Sequence, residues 1–198
     1  MDATCKHITI DQLLQWGTFG YDTSAEIIAK TDNDWPKTPL QICALDIPVD
    51  VRLEILVRVI PSRQLHVLAC DSAETALPIY EHRYPDDTRP RDAITAKRAW
   101  VADETTDREL AVARTAAWAA FSSTTWDDAC DAALAAARAT DTHESMWQDR
   151  DVVAEAALAA INYAAAAAAR APAPNPSDES ENAAMSRVVE VLEELHNA

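Results

Sequence analysis

Three alanine-rich stretches in the second half of the chain decide its fold: DRELAVARTAAWAAF (107–121), TWDDACDAALAAARAT (125–140) and DVVAEAALAAINYAAAAAARA (151–171). Alanine has the highest helix propensity and loses no side-chain entropy in a helix, so each stretch is predicted to be helical. Thin alanine faces let helices approach closely, with larger residues such as Trp118 and Leu134 filling the gaps. Because no strict heptad of large residues persists, we predict a packed bundle rather than a long coiled coil.

The rest of the chain carries few signals of a β-sheet. It holds only two glycines, Gly17 and Gly20, although sheet-rich proteins need glycine in many of their turns. Prolines mostly fall between helix-like segments, where the missing N–H costs least, and Pro90 suits the first turn of a new helix. The sequence therefore predicts an all-α protein, a compact bundle of alanine-rich helices.

Composition divides the chain into four regions. They are a helical lead-in (1–60), an alanine-rich helical core (61–171), a proline-rich and acidic tether (172–182) and a terminal amphipathic helix (183–198). Within the core, the helix that starts at Ser62 is predicted to be central, with a kink at Pro78. The apolar face of the terminal helix either docks on the bundle or binds another chain. Its members are Met185, Val188, Val189, Leu192 and Leu195.

Charge is concentrated in the second half. The formal charge is -16, and residues 101–198 hold 6 basic and 18 acidic side chains. Such a surface repels nucleic acid and attracts basic partners. Alternatively, the charge only keeps the protein soluble. We predict that it binds a protein and mimics a nucleic-acid backbone, without contacting nucleic acid itself. The candidate binding carboxylates are Asp127, Asp128 and Asp131, within a wider acidic set that includes Asp103, Glu104, Asp107 and Glu109.

Sequence signals for catalysis, cofactors and export are absent. With no GxSxG, P-loop or GxGxxG motif, the chain is predicted not to be an enzyme. His66 and Cys70 share a helix face, but without further ligands a buried face is favoured over zinc, so no metal or cofactor is expected. Scattered cysteines and no signal-peptide pattern predict a cytoplasmic protein. The run 151–170 holds Glu155 and Asn162, which argues against a membrane span.

The middle of the chain carries a charged motif between two helix-like segments, CDSAETALPIYEHRYPDDTRPRDAITAKRAW (70–100). It resembles the Imm-5-like group of bacterial and phage immunity proteins. The resemblance rests on Cys70, Ala73, Glu74, Pro85, Asp87, Arg89, Pro90, Arg91, Ala93 and Ile94. It implies an all-helical protein that neutralises a toxin by binding it, or a phage protein that blocks a host defence effector.

The charged loop of this motif is the other candidate site. Guanidinium groups recognise carboxylates or phosphates with paired donors, so Arg89 and Arg91, with Glu81, Asp86 and Asp87, could bind a partner. Alternatively, Asp87 caps the next helix and the arginines pair with acidic residues of the preceding one to fix the loop. Two other functions stay open: an adaptor that forms homo-oligomers through its terminal helix, and a helical protein that binds a small ligand or nucleotide.

Overall fold

The computed structural model describes residues 7–16, 29, 31, 34–124, 128–140, 150–170 and 176–197. Across these residues the fold is all-α, as the sequence predicted, with nine helices and no strand. The helices are α1 (Ile10–Trp16), α2 (Pro39–Cys43), α3 (Val49–Val57), α4 (Ser62–Arg83), α5 (Arg89–Val101), α6 (Asp107–Ser123), α7 (Asp128–Thr140), α8 (Arg150–Arg170) and α9 (Pro176–Asn197).

The chain divides into two compact units. The first unit comprises Met1–Pro61 together with Met185–Ala198, and the second comprises Ser62–Ala184. None of the described helices combines the length and the apolar character needed to cross a bilayer.

The first unit contains α1 to α3 and most of α9. An antiparallel bridge pairs Ile8 with Lys37, and a capping box between Thr38 and Gln41 starts α2. Helix α3 is buried on nearly all sides, and its hydrophobic residues join the core of this unit. The apolar face of α9 is also inside, since Met185, Val188, Val191 and Leu192 are all buried.

The start of α9 differs from the predicted tether. Helix α9 begins at Pro176, so residues 176–182 are its first two turns, while residues 171–175 lie outside the described part. The local reason is an N-terminal helix signature that the proline-rich composition obscured. Proline fits the first helical position, and acidic residue types are favoured in the first turn of helices in general.

The second unit places α7 at its centre, beside α4, which the sequence predicted to be central and which packs against α5, α7 and α8. Helix α7 packs against α4, α5, α6 and α8. All of its described side chains are buried except the half-buried Arg138. Seven of its thirteen residues are alanine, and such thin side chains let the neighbouring helices approach it closely.

Alanine contacts hold this centre together, as the sequence predicted. Ala93 from α5, Ala117 from α6 and Ala137 from α7 are fully buried in one cluster, with Trp118 packed against it. Pro90 lies in the first turn of α5, also as predicted. Pro78 is exposed inside α4, and the helix continues beyond it to Arg83.

Candidate functional site

The loop between α4 and α5 brings Asp87 and Arg89 together in a two-pronged ion pair. Arg89 donates from Nε to Oδ1 of Asp87 at 2.8 Å and from Nη2 to Oδ2 at 2.6 Å. Asp87 also accepts the hydroxyl of the buried Tyr80 at 2.5 Å and the backbone N–H of Arg89 at 3.2 Å. Arg89 Nη2 reaches Ser123 Oγ at 3.2 Å, so this cluster ties the ends of α4 and α6 to the start of α5.

Hydrogen bonding keeps this pair ionised. The Arg89 guanidinium, helped by the Tyr80 hydroxyl, holds the pKa of Asp87 at about 2. Burial, and then the bond to Asp87, raises the pKa of Tyr80 well above its usual value. Arg89 uses its Nε and Nη2 donors within this cluster, which fixes the loop, and its side chain remains partly exposed. Asp87 bonds the first residue of α5 without being its N-cap, a position that Thr88 occupies.

Arg91 belongs to a separate row of ion pairs between α4 and α5. It donates to both carboxylate oxygens of Glu81, the Nη2 bond being 2.9 Å long, and its Nη1 lies 3.9 Å from Glu74. Two turns further along α5, Arg98 bonds both Asp71 and Glu74 at 2.7 Å. The sequence had left open this pairing of Arg91 with acidic residues of the preceding helix, but it missed Arg98.

An open recess of about 590 Å³ lies at the same loop and is lined by residues 83–89. It includes Asp86, Asp87 and Arg89 of the predicted site, whereas Arg91 and Glu81 lie outside its lining. Asp86 is exposed there. The recess is formed by one short segment, and one of its two arginines, Arg89, is already paired with Asp87.

The three carboxylates predicted to bind a partner do not form a described surface. Asp131 is only 8% exposed, because it lies on the central helix α7. Asp127 and the side chain of Asp128 lie outside the described part of the chain. Of the three, the one that the structure describes is therefore inside the second unit.

Exposed carboxylates are instead gathered between α5 and α6, in what we call the acidic turn: Asp103, Glu104, Asp107 and Glu109. Asp103 has a positive φ of 61°, and its side chain is 90% exposed, with Arg63 Nη1 4.0 Å away. Asp107 accepts the indole N–H of Trp100 at 2.8 Å. All four carboxylates belong to the wider acidic set named from the sequence. The Thr-x-x-Glu spacing at Thr106 and Glu109 is the local sequence signal for a helix start at this place.

A capping box fixes the backbone at the acidic turn. Glu109 accepts the backbone N–H of Thr106 at 3.0 Å, and Thr106 Oγ1 accepts the N–H of Glu109 at 3.3 Å. Hydrogen bonds from Thr105 and Thr106 lower the pKa of Glu109 to about 2. The turn therefore presents its carboxylates from an ordered helix start.

A polar cluster that the sequence did not predict lies where the start of α4 meets the end of α5. His66 is 3% exposed and Lys97 is fully buried, and both contact the ring of Trp100. Burial, and then Lys97, lowers the pKa of His66 to about 3. Burial also raises the pKa of the neighbouring Cys70 thiol to about 12. Among the described residues, no three His, Cys, Asp or Glu side chains are arranged to hold a metal ion.

Comparison with known proteins gives no relative: no family model, curated protein or solved structure matches this chain. The resemblance to immunity proteins therefore stays a prediction from the motif at 70–100. The fold defines the class only as an all-α helical protein.

Proposed function

We propose that this chain acts in the cytoplasm by binding a protein with a basic surface, as an immunity-type or anti-defence inhibitor without a catalytic centre of its own. The observation that carries the proposal is the acidic turn. Its four carboxylates are exposed and close together in sequence, on a protein whose formal charge is -16. Complementary charge speeds encounter with a basic partner and disfavours partners of the wrong sign.

The anchoring of the acidic turn supports a binding role. The Trp100–Asp107 bond and the capping box fix the backbone before a partner arrives. A surface that is already ordered loses less conformational entropy on binding, which favours affinity. Carboxylates on an ordered backbone can also occupy a site that a partner uses for phosphates, and that is how the chain would mimic nucleic acid.

The alternative functions receive less support from the described residues. Oligomerisation through the terminal helix needs an available apolar face, and Met185, Val188 and Leu192 of that face are buried. A nucleotide site at the α4–α5 loop needs arginine donors, and those of Arg89 and Arg91 bond Asp87 and Glu81.

Partner capture followed by charge reversal tests the proposal. The tagged full chain is used to retain proteins from its native cells at low salt, and the retained protein is purified for affinity measurement. We expect Asp103→Lys with Glu104→Lys to weaken binding at low salt by roughly tenfold or more, because like charges then face each other. Neither substitution touches the capping box.

The matched control is Asp46→Lys with Asp50→Lys, which makes the same charge change at exposed positions of the first unit. Equal affinity of the acidic-turn variant and the wild type would refute the acidic turn as the binding surface. Recovery of the chain alone, as a self-assembled species, would refute the inhibitor proposal and favour the oligomeric adaptor.

A further inference from the structure

Two basic side chains from neighbouring helices converge on one indole ring inside the second unit. His66 on α4 meets the Trp100 ring edge to face, with centroids 5.3 Å apart and planes at 82°. Lys97 on α5 places Nζ 4.0 Å from the centroid of the same ring. His66 and Lys97 therefore contact the same Trp100 ring, and the His66–Trp100 contact joins the start of α4 to the end of α5.

His66 is held there by packing alone. Neither of its ring nitrogens has a hydrogen-bond partner among the described residues, although the side chain is 3% exposed. A buried polar group without a partner is destabilising, and a buried charge without one is far more so. The site therefore accepts neutral imidazole and opposes imidazolium, which would lie beside the ring that Lys97 already contacts.

The charged groups on the surrounding helices do not offset a charge on His66. From α5, Arg98 bonds Asp71 and Glu74 of α4. Helix α7 contributes Asp131 and Arg138, and the described side chains of α8 carry no charge. Of all these groups, Lys97 is the one that shifts the pKa of His66, and it shifts it downward as burial does.

We infer that the His66–Trp100 contact is an acid-released latch: protonation of His66 separates the start of α4 from the end of α5. A shift of Trp100 would also disturb the exposed acidic turn, because the indole N–H of Trp100 bonds Asp107 there. The latch goes beyond the proposed function, since it acts in the chain alone whatever the partner is.

The direction and size of the effect follow from proton linkage. His66 has a pKa of about 3 in the fold and 6.5 when solvated, so the opened form binds a proton more readily than the closed form. The latch is therefore closed above pH 6.5 and weakens as the pH falls toward 3. The opening equilibrium rises by roughly 50-fold between pH 6.5 and 4.5, approaching about tenfold per pH unit in the lower part of that range.

Hydrogen exchange of backbone amides tests the latch in the full chain. We expect residues 62–70 and 94–101 to lose protection by roughly 50-fold between pH 6.5 and 4.5, after correction for intrinsic exchange rates. His66→Leu fills a similar volume without a titrating group and should remove that dependence. His82→Leu, at an exposed position of the same helix, should keep the wild-type response.

A second readout covers the case in which His66→Leu fails to fold. Nitrogen-15 NMR of the imidazole rings follows the charge of His66 in the wild-type chain. The latch requires His66 to stay neutral while these amides are protected, and to become charged as they open. A charged His66 with intact protection, or an acid response that survives His66→Leu, would overturn the inference.

Discussion

Helix α5 packs against its neighbours in two unlike ways. Toward α6 and α7 it presents Ala93, which meets Ala117 and Ala137 in an interface of methyl groups. Toward α4 it presents Arg91 and Arg98, which meet carboxylates of that helix, and Trp100, which meets the buried His66. The first interface depends on volume and the second on charge, so one helix should respond to two different kinds of change.

Overpacking the alanine interface should have the largest effect. Ala137→Leu inserts three carbon atoms where Ala137 is fully buried between α5 and α6, and we expect a loss of about 3 kcal/mol in the free energy of unfolding. Urea denaturation followed by circular dichroism measures it. The exposed Ala119 of α6 provides the control, since Ala119→Leu should change stability by less than about 0.5 kcal/mol. Equal stabilities of the two variants would show that the helices do not approach closely.

Removing the shared carboxylate of the charged loop should come second. Asp87→Ala leaves the hydroxyl of the buried Tyr80 and two donors of Arg89 without their acceptor, at a cost of about 2 kcal/mol near neutral pH. The exposed neighbour Asp86 is the control, because Asp86→Ala should lower stability by less than about 0.5 kcal/mol.

The same variant has a pH signature. Because the pKa of Asp87 falls from 3.8 to about 2 on folding, its contribution is full above pH 3.8 and is lost as the pH drops toward 2. The difference in the free energy of unfolding between wild type and Asp87→Ala should therefore shrink below pH 3.8. Urea unfolding curves of both proteins at pH 7 and pH 2.5 measure that difference. A constant difference would contradict the ion pair as the source of stability.

Cutting an exposed ion pair should have the smallest effect. Glu81→Gln removes the charge that Arg91 binds, but both side chains are partly in water, with exposures of 34% and 47%. Solvent screening limits the expected loss to about 0.5 kcal/mol or less in urea denaturation. A loss as large as that of Asp87→Ala would mean that this row of ion pairs, and not the Asp87 cluster, holds α4 against α5.

Local chemistry explains what the sequence could predict. Alanine propensity was sufficient for α6, α7 and α8, and the first-turn proline was sufficient for the start of α5. The alternative in which Arg91 pairs with the preceding helix was also accessible, because loop charges next to acidic helix residues commonly pair. Each of these inferences needs only neighbours in sequence.

Tertiary placement explains what the sequence could not predict. An alanine helix has the same propensity inside or at the surface, so nothing local distinguished α7 as central or withdrew Asp131 from solvent. Lys97 and His66 are polar residues whose burial depends on the ring of Trp100, which is remote in sequence from His66. The helical start of α9 was hidden because Pro176 belongs to a proline-rich run that is typical of tethers.

The central position of α7 has a consequence for biosynthesis. Ribosomes release α4, α5, α6 and α7 before α8, yet α8 packs against both α4 and α7. A nascent chain that has reached residue 149 therefore carries uncovered apolar surface on two helices, and it must wait for the next twenty or so residues to close its interior. Chaperones and proteases would meet the chain during that interval, so a stop codon just before α8 should be far more damaging in the cell than the loss of one peripheral helix implies.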